Sequence, residues 1–169
     1  AVNDPHGITT DGYYVYWIDV DQDGNRVILR REPGTASNEI VYPRTAADDQ
    51  IALPVDLEFL SADEAGPRLL VLDAEAGQLW QLQVGPLENT TTSVGPARYT
   101  AGEARHHDAW LSHADGKVFV ADPGLEGHAD TAALVESIPL GGNAWTTLHE
   151  GGAGFAPRGI AAGVSDLYV

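Results

Sequence analysis

One segment of this 169-residue chain recurs, and that recurrence limits the fold more than any other feature. The first copy reads Pro5-His6-Gly7-Ile8, then Asp11-Gly12, then Val15-Tyr16-Trp17-Ile18-Asp19. The second reads Pro54-Val55-Asp56-Leu57, then Leu69-Leu70-Val71-Leu72-Asp73. The third reads His106-His107-Asp108-Ala109, then Asp115-Gly116, then Val118-Phe119-Val120-Ala121-Asp122. The fourth reads Pro157-Arg158-Gly159-Ile160, then Asp166-Leu167-Tyr168-Val169. The spacings are 49 (from 5 to 54), 52 (from 54 to 106) and 51 (from 106 to 157). A repeat of this length is the signature of a stacked or radial array of supersecondary units.

Local chemistry makes each unit a β-sheet. Tyr13 to Ile18 and Leu69 to Leu72 are short β-branched, aromatic or aliphatic runs bounded by Gly, Pro and Asp, as strands are. Val27-Ile28-Leu29, Leu79-Trp80-Gln81-Leu82 and 134–138 supply a third strand per unit. Glu39-Ile40-Val41-Tyr42 and Trp145-Thr146-Thr147-Leu148 supply a fourth, and in the second unit Ala97-Arg98-Tyr99 is expected to do so. Asp-Gly at 11–12 and 115–116 suits tight turns. Helical periodicity is nowhere sustained; 129–137 comes nearest. Four strands in about 50 residues, repeated, is one blade per repeat. The expected fold is an all-β propeller with three four-stranded blades and the inner strands of a fourth. One domain holds them, with blades at about 5–53, 54–105, 106–156 and 157–169.

Charge and composition narrow the partners. The net charge is −16 and the acidic residues are scattered. Such a surface repels phosphate backbones and acidic lipid headgroups, so neither nucleic acid nor a membrane surface is expected as partner. No apolar run approaches the roughly 18–20 residues that span a bilayer, so no membrane insertion is expected. With no cysteine, thiol catalysis and thiolate metal sites are excluded. A soluble protein is expected, and the composition names no compartment. The chain has no methionine, so it is not expected to be an intact primary translation product.

The Pro-x-Gly-Ile, Asp-Gly and Val-Tyr-Trp-Ile-Asp pattern of the first unit resembles the YWTD and NHL class of propellers, and in particular bacterial repeat propellers. The resemblance implies a ring that is commonly six-bladed and a secreted or periplasmic bacterial setting. It implies a fold more than a function, because the class includes non-catalytic binding propellers, lactonase-like hydrolases and lyases. The second unit departs from the pattern, with Leu-Leu-Val-Leu-Asp where the first has aromatics.

Topology says where a site would lie. The loop before the first strand of a blade and the loop after the second share one side of the sheet, and loops on rigid scaffolds carry binding groups. His6, Val55, His107 and Arg158 occupy the first position in successive blades. His6, His107 with its neighbour Asp108, and Arg158 are the candidate ligand-binding residues; they would suit an anion or, through the histidines, a metal. The loop after the second strand begins Asp19-Val20-Asp21-Gln22-Asp23-Gly24-Asn25, the first half of a calcium-loop pattern. Asp19, Asp21, Asp23 and Asn25 are the candidate ligands of calcium or another divalent cation. Position twelve of that pattern would be Arg30, so the bidentate Glu is missing and an acidic solvated hairpin is the favoured reading. A longer loop in the third blade carries Glu126, His128 and Asp130. The Asp closing the second strand at 19, 73 and 122 is expected to accept a neighbouring backbone N–H. Asn89-Thr90-Thr91 fits a glycosylation sequon, a pattern common by chance.

No nucleophile elbow, phosphate-binding glycine loop or His-Glu-x-x-His helix is present. The favoured function is therefore a non-catalytic propeller that binds a small molecule or protein on its loop face. The alternative is a metal-dependent lyase or lactonase-like hydrolase. The chain stops at Val169 on an apolar inner strand. The remainder of a propeller ring, about 100–150 residues at ~50 per blade, is the further expected partner.

Overall fold

The computed structural model describes residues 4–44, 50–64, 66–75, 77–85, 89–98, 109–124, 133–151, 155–163 and 165–169. These contain no helix, and so none long and apolar enough to cross a membrane. Fourteen strands lie among the described residues. The first four are β1 (His6–Thr10), β2 (Val15–Val20), β3 (Arg26–Arg31) and β4 (Glu39–Tyr42). The next four are β5 (Pro54–Asp63), β6 (Gly66–Asp73), β7 (Gln78–Val84) and β8 (Asn89–Val94). Then come β9 (Trp110–Ala114), β10 (Lys117–Asp122), β11 (Leu134–Pro139) and β12 (Thr146–Glu150). Last are β13 (Ala161–Ala162) and β14 (Leu167–Tyr168).

Each group of four is its own antiparallel meander, with neighbours in chain order, and β13–β14 pair as two strands of a fourth sheet. These are the three blades and the inner strands of a fourth that the repeat predicts. The fourth strand of the second blade differs from expectation: it is β8, at 89–94, whereas Ala97 and Arg98 lie outside any strand. The reason is solvation. β8 is an outer strand of Thr and Ser, largely exposed, so it carries no apolar alternation to mark it.

Contacts divide the chain into two units. One comprises residues 1–73 and 80–92; the other comprises 74–79 and 93–169. In the first unit, Tyr16, Ile18, Ile28 and Tyr42 of the first blade join Leu57, Leu69, Val71 and Leu82 of the second in one buried cluster. Tyr16 and Trp17 face opposite ways, as alternation along a strand requires. Tyr16 is the buried member, and its hydroxyl donates to Asp11 Oδ2 at 2.9 Å. Burial and the Asp11 carboxylate both push the Tyr16 phenol well above its ordinary pKa.

The blades meet through polar contacts as well. Thr9 Oγ1 accepts the N–H of Phe59 at 2.9 Å, and Arg26 donates to the carbonyl of Pro54 at 3.2 Å. In the second unit, Ser112 Oγ accepts the N–H of Ala162 at 3.1 Å. Gly7 makes the first junction possible. It sits at φ 46° in a bulge between His6 and Ile8, and a Cβ there would come within 2.9 Å of Leu57 N.

The repeated aspartates have the role expected of them. Asp19, Asp73 and Asp122 are 1%, 4% and 4% exposed. Asp19 Oδ1 accepts the N–H of Asp4 and of Val20. Asp73 accepts the N–H of Ala52 on Oδ2 at 2.9 Å and of Leu53 on Oδ1 at 3.1 Å. In both blades the carboxylate at the end of the second strand ties down the chain leading into the first. Asp122 accepts the N–H of Gly124 and pairs with Arg98 at 3.1 Å. Residues 99–108, which lead to Ala109 and β9, lie outside the described ones. Arg98 also reaches Glu136 at 2.7 Å, with its side chain 3% exposed, so one guanidinium is shared by two carboxylates inside the second unit.

Replacing Asp73 by Ala leaves two backbone donors without an acceptor. A buried donor stranded this way costs about 1–3 kcal/mol, so Asp73→Ala is expected to lower stability by about 2–4 kcal/mol. Denaturant melts of wild type, Asp73→Ala and Asp73→Asn check this. Asn, which keeps one acceptor oxygen, should fall between the other two, and an Ala variant as stable as wild type would contradict the assignment.

Candidate functional site

The loop-side end of the first blade is where the sequence places most of its candidates, and its geometry follows from the aspartate clamp. Asp19 fixes Asp4, and the bulge at Gly7 then turns His6 toward β3. His6 is the first residue of β1, paired with Ile18, and not part of the preceding loop. Its Nε2 lies 3.2 Å from Arg26 Nη2 and 3.1 Å from Asp4 Oδ2. One ring nitrogen cannot serve both neighbours in the same way. Neutral with its proton on Nδ1, it accepts from Arg26; carrying a proton on Nε2, it donates to Asp4.

Arg26 was not among the residues singled out from the sequence. Its partners His6 and Pro54 lie 20 and 28 residues away, and no short spacing announces them. Arg26 also lines a cleft of about 420 Å³, together with Asn25, Val20, Pro43, Ile51 and Leu53. The cleft has an apolar wall and a polar lip, the arrangement by which pockets combine affinity with orientation.

Asp21, Asp23, Gly24 and Asn25 form the β2–β3 hairpin. Asp21 Oδ1 accepts the N–H of Asp23 at 2.9 Å and of Asn25 at 2.8 Å, and Asn25 Nδ2 donates to Asp21 Oδ2. The bond from the Asn25 N–H is foremost in holding the Asp21 carboxyl below the usual carboxylate range. Asp21 is thus bonded within its own turn, while Asp19 is turned inward to Asp4 and Val20. Gly24, at φ 86°, closes the turn as its place in the motif requires. Among the described residues, no three histidine or acidic side chains are grouped so as to hold a metal ion.

The remaining candidates are placed less fully. Val55 is buried at the start of β5. Arg158 is exposed in the second unit and lines a broad depression with Phe155, Pro157 and Tyr168. His107 and Asp108 lie outside the described residues, as do Glu126, His128 and Asp130. Asn89, of the sequon, donates from Nδ2 to the carbonyl of Val41.

No family model matches the chain, and no curated protein does. Solved structures that resemble it include two of puromycin hydrolase. One is a mutant complexed with PGG, at 15% identity and a TM-score of 0.55; the other is puromycin hydrolase itself, at 16% and 0.56. In each case the match covers 86% of this chain and 24% of the other, so the chain spans about a quarter of their length. At such identity the likeness bears on fold alone. It agrees with the blades and their order in placing the chain among β-propellers.

The hairpin geometry predicts a titration. The Asn25 and Asp23 amide protons should shift in NMR spectra as Asp21 is protonated, with a midpoint below the ordinary value of 3.8. In Asp21→Asn that titration should vanish, and in Asp23→Asn it should persist. A midpoint at or above the ordinary value would contradict the bonding described.

Proposed function

We propose that the chain is a β-propeller segment that binds a small molecule or a protein segment on its loop face. The contact group is an anion, a carboxylate by preference. The observation that carries this reading is Arg26. It stands at the junction of the first two blades, joins His6 and the Pro54 carbonyl, and forms part of the lip of an apolar-walled cleft. A guanidinium over an apolar wall is suited to an anionic group attached to an aliphatic or aromatic body. The overall charge of −16 would work against a polyanion, which favours a ligand with one or two acidic groups. The resemblance to YWTD and NHL repeats supports binding, since that class includes non-catalytic propellers. His107, Asp108 and Arg158 stay candidates, through the repeat alignment, for ligand positions on their own later blades, apart from the Arg26 cleft. The Asp19 to Asn25 hairpin forms the rim beside Arg26, and a divalent cation such as calcium is a secondary candidate there.

A catalytic role for the complete protein is the second reading, because the solved structures it resembles are named as a hydrolase. In that case the loop face would hold substrate for catalytic groups elsewhere, and a lyase or lactonase-like hydrolase remains the form of enzyme the sequence suggests.

The test is amide NMR with a panel of short carboxylates and acidic tripeptides. Binding should perturb Asn25, Arg26 and Leu53 together. Arg26→Gln should weaken it about tenfold or more, the effect of losing one charge-assisted hydrogen bond. Perturbations scattered over both units, or an affinity unchanged in Arg26→Gln, would overturn the assignment. Turnover of a lactone or ester panel by the complete protein would favour the catalytic reading.

A further inference from the structure

We infer that His6 is an acid-released latch on Arg26: the neutral ring holds the guanidinium at the blade junction, and the protonated ring gives it up to an anion in the cleft. This regulation rests on the anion-binding role proposed above for Arg26. Arg26 is the only charged residue among those described as lining the cleft. Its Nη1 donates to the Pro54 carbonyl at 3.2 Å, and its Nη2 lies 3.2 Å from His6 Nε2. The neighbouring amide on the lip does not compete for the ligand, since Asn25 Nδ2 is turned to Asp21 Oδ2 within the hairpin.

Hydrogen counting makes the latch exclusive. A guanidinium only donates, so the contact with Arg26 requires a bare lone pair on Nε2 and a proton on Nδ1. An imidazolium carries a proton on both ring nitrogens. Two N–H groups would then face each other, and two cations with them. An acceptor already waits for the new proton: Asp4 Oδ2 lies 3.1 Å from the same nitrogen. Asp4 is held in place by its own N–H, which Asp19 Oδ1 accepts at 2.9 Å. Protonation therefore exchanges one partner of Nε2 for the other, and Arg26 Nη2 loses its acceptor on β1.

Four charged groups stand around the ring. Asp4 meets it from the chain leading into β1, and Arg26 from β3. Asp19 stands on β2, next to Ile18, the strand partner of His6. Asp56 comes from β5, its Oδ1 beside Gly7. Asp19 accepts the N–H of Asp4 and Val20, and Asp56 that of Leu57, so these two carboxylates have backbone donors of their own. The His6 side chain is 23% exposed, which leaves it open to protons from solvent. Histidine is the side chain whose charge ordinarily changes between about pH 5 and 8, whereas carboxylates and guanidinium ordinarily keep theirs. The junction thus responds to pH through His6.

Benzoate is the probe, because it stays ionised from about pH 5.5 to about pH 8. It should bind about three- to tenfold more tightly at the lower pH, the effect of one hydrogen-bond donor released to the ligand. In His6→Gln, and in Arg26→Gln, the ratio of the two affinities should fall to near one. A ratio that persists in Arg26→Gln would show His6 acting by charge alone and would overturn the latch. Spectra of the ligand-free wild type decide the same point without benzoate. With histidine labelled with nitrogen-15, the resonance that His6→Gln removes should report the Nδ1–H tautomer at about pH 8. The Nε2–H tautomer there would overturn the latch, whatever binds. The Nδ1–H tautomer with no benzoate bound at either pH would place the failure in the anion site and overturn the regulation with it.

Discussion

A carboxylate buried at the end of the second strand is the interaction on which the rest of each blade depends. A four-stranded meander is held by its own ladder, but the chain leading into its first strand has no ladder to join. Asp19 and Asp73 supply the acceptors there, taking the N–H of Asp4 in one blade and those of Ala52 and Leu53 in the next. A desolvated carboxylate is costly unless it is hydrogen-bonded, and each of these is. The same bonds decide where the loop face sits. They hold Ala52 and Leu53, which line the cleft, and Asp4, whose carboxylate meets the His6 ring beside Arg26.

Much of the fold was legible because the repeat combines two independent signals. The apolar runs recur every 49 to 52 residues, and the first three end in Asp. Tyr16 lies in the core and Trp17 on the opposite face because the period of a strand is two, and that needs no tertiary information. Of the outer strands, β4 and β12 were legible and β8 was not. β8 lies at the solvated edge of its sheet. Polar residues suffice there, so the pattern that marks an inner strand is missing. The register of the long β5–β6 pair, which extends to the Asp63–Gly66 turn, was likewise not written in the repeat.

The site was legible in part. The repeat alignment led to His6, and the loop rule led to the hairpin that follows β2. The role of Asp21 was not visible, because D-x-D-x-D-G describes equally well a metal loop and a turn whose middle carboxylate bonds its own backbone. Spacing alone does not separate the two; the direction of the carboxylates does. Arg26 was missed for a different reason. Its neighbours are brought to it by packing between blades, and a guanidinium that bridges two blades leaves no local mark in the chain.

Native-state hydrogen exchange at Ala52 and Leu53 tests the aspartate clamp most directly. Neither residue is in a strand, so without the clamp their amides should exchange at the rate of an open loop. If Asp73 holds them as described, both should be protected about as strongly as the β5–β6 ladder and should open with it as one cooperative unit. Exchange at the rate of the exposed Asp23 turn would contradict the account.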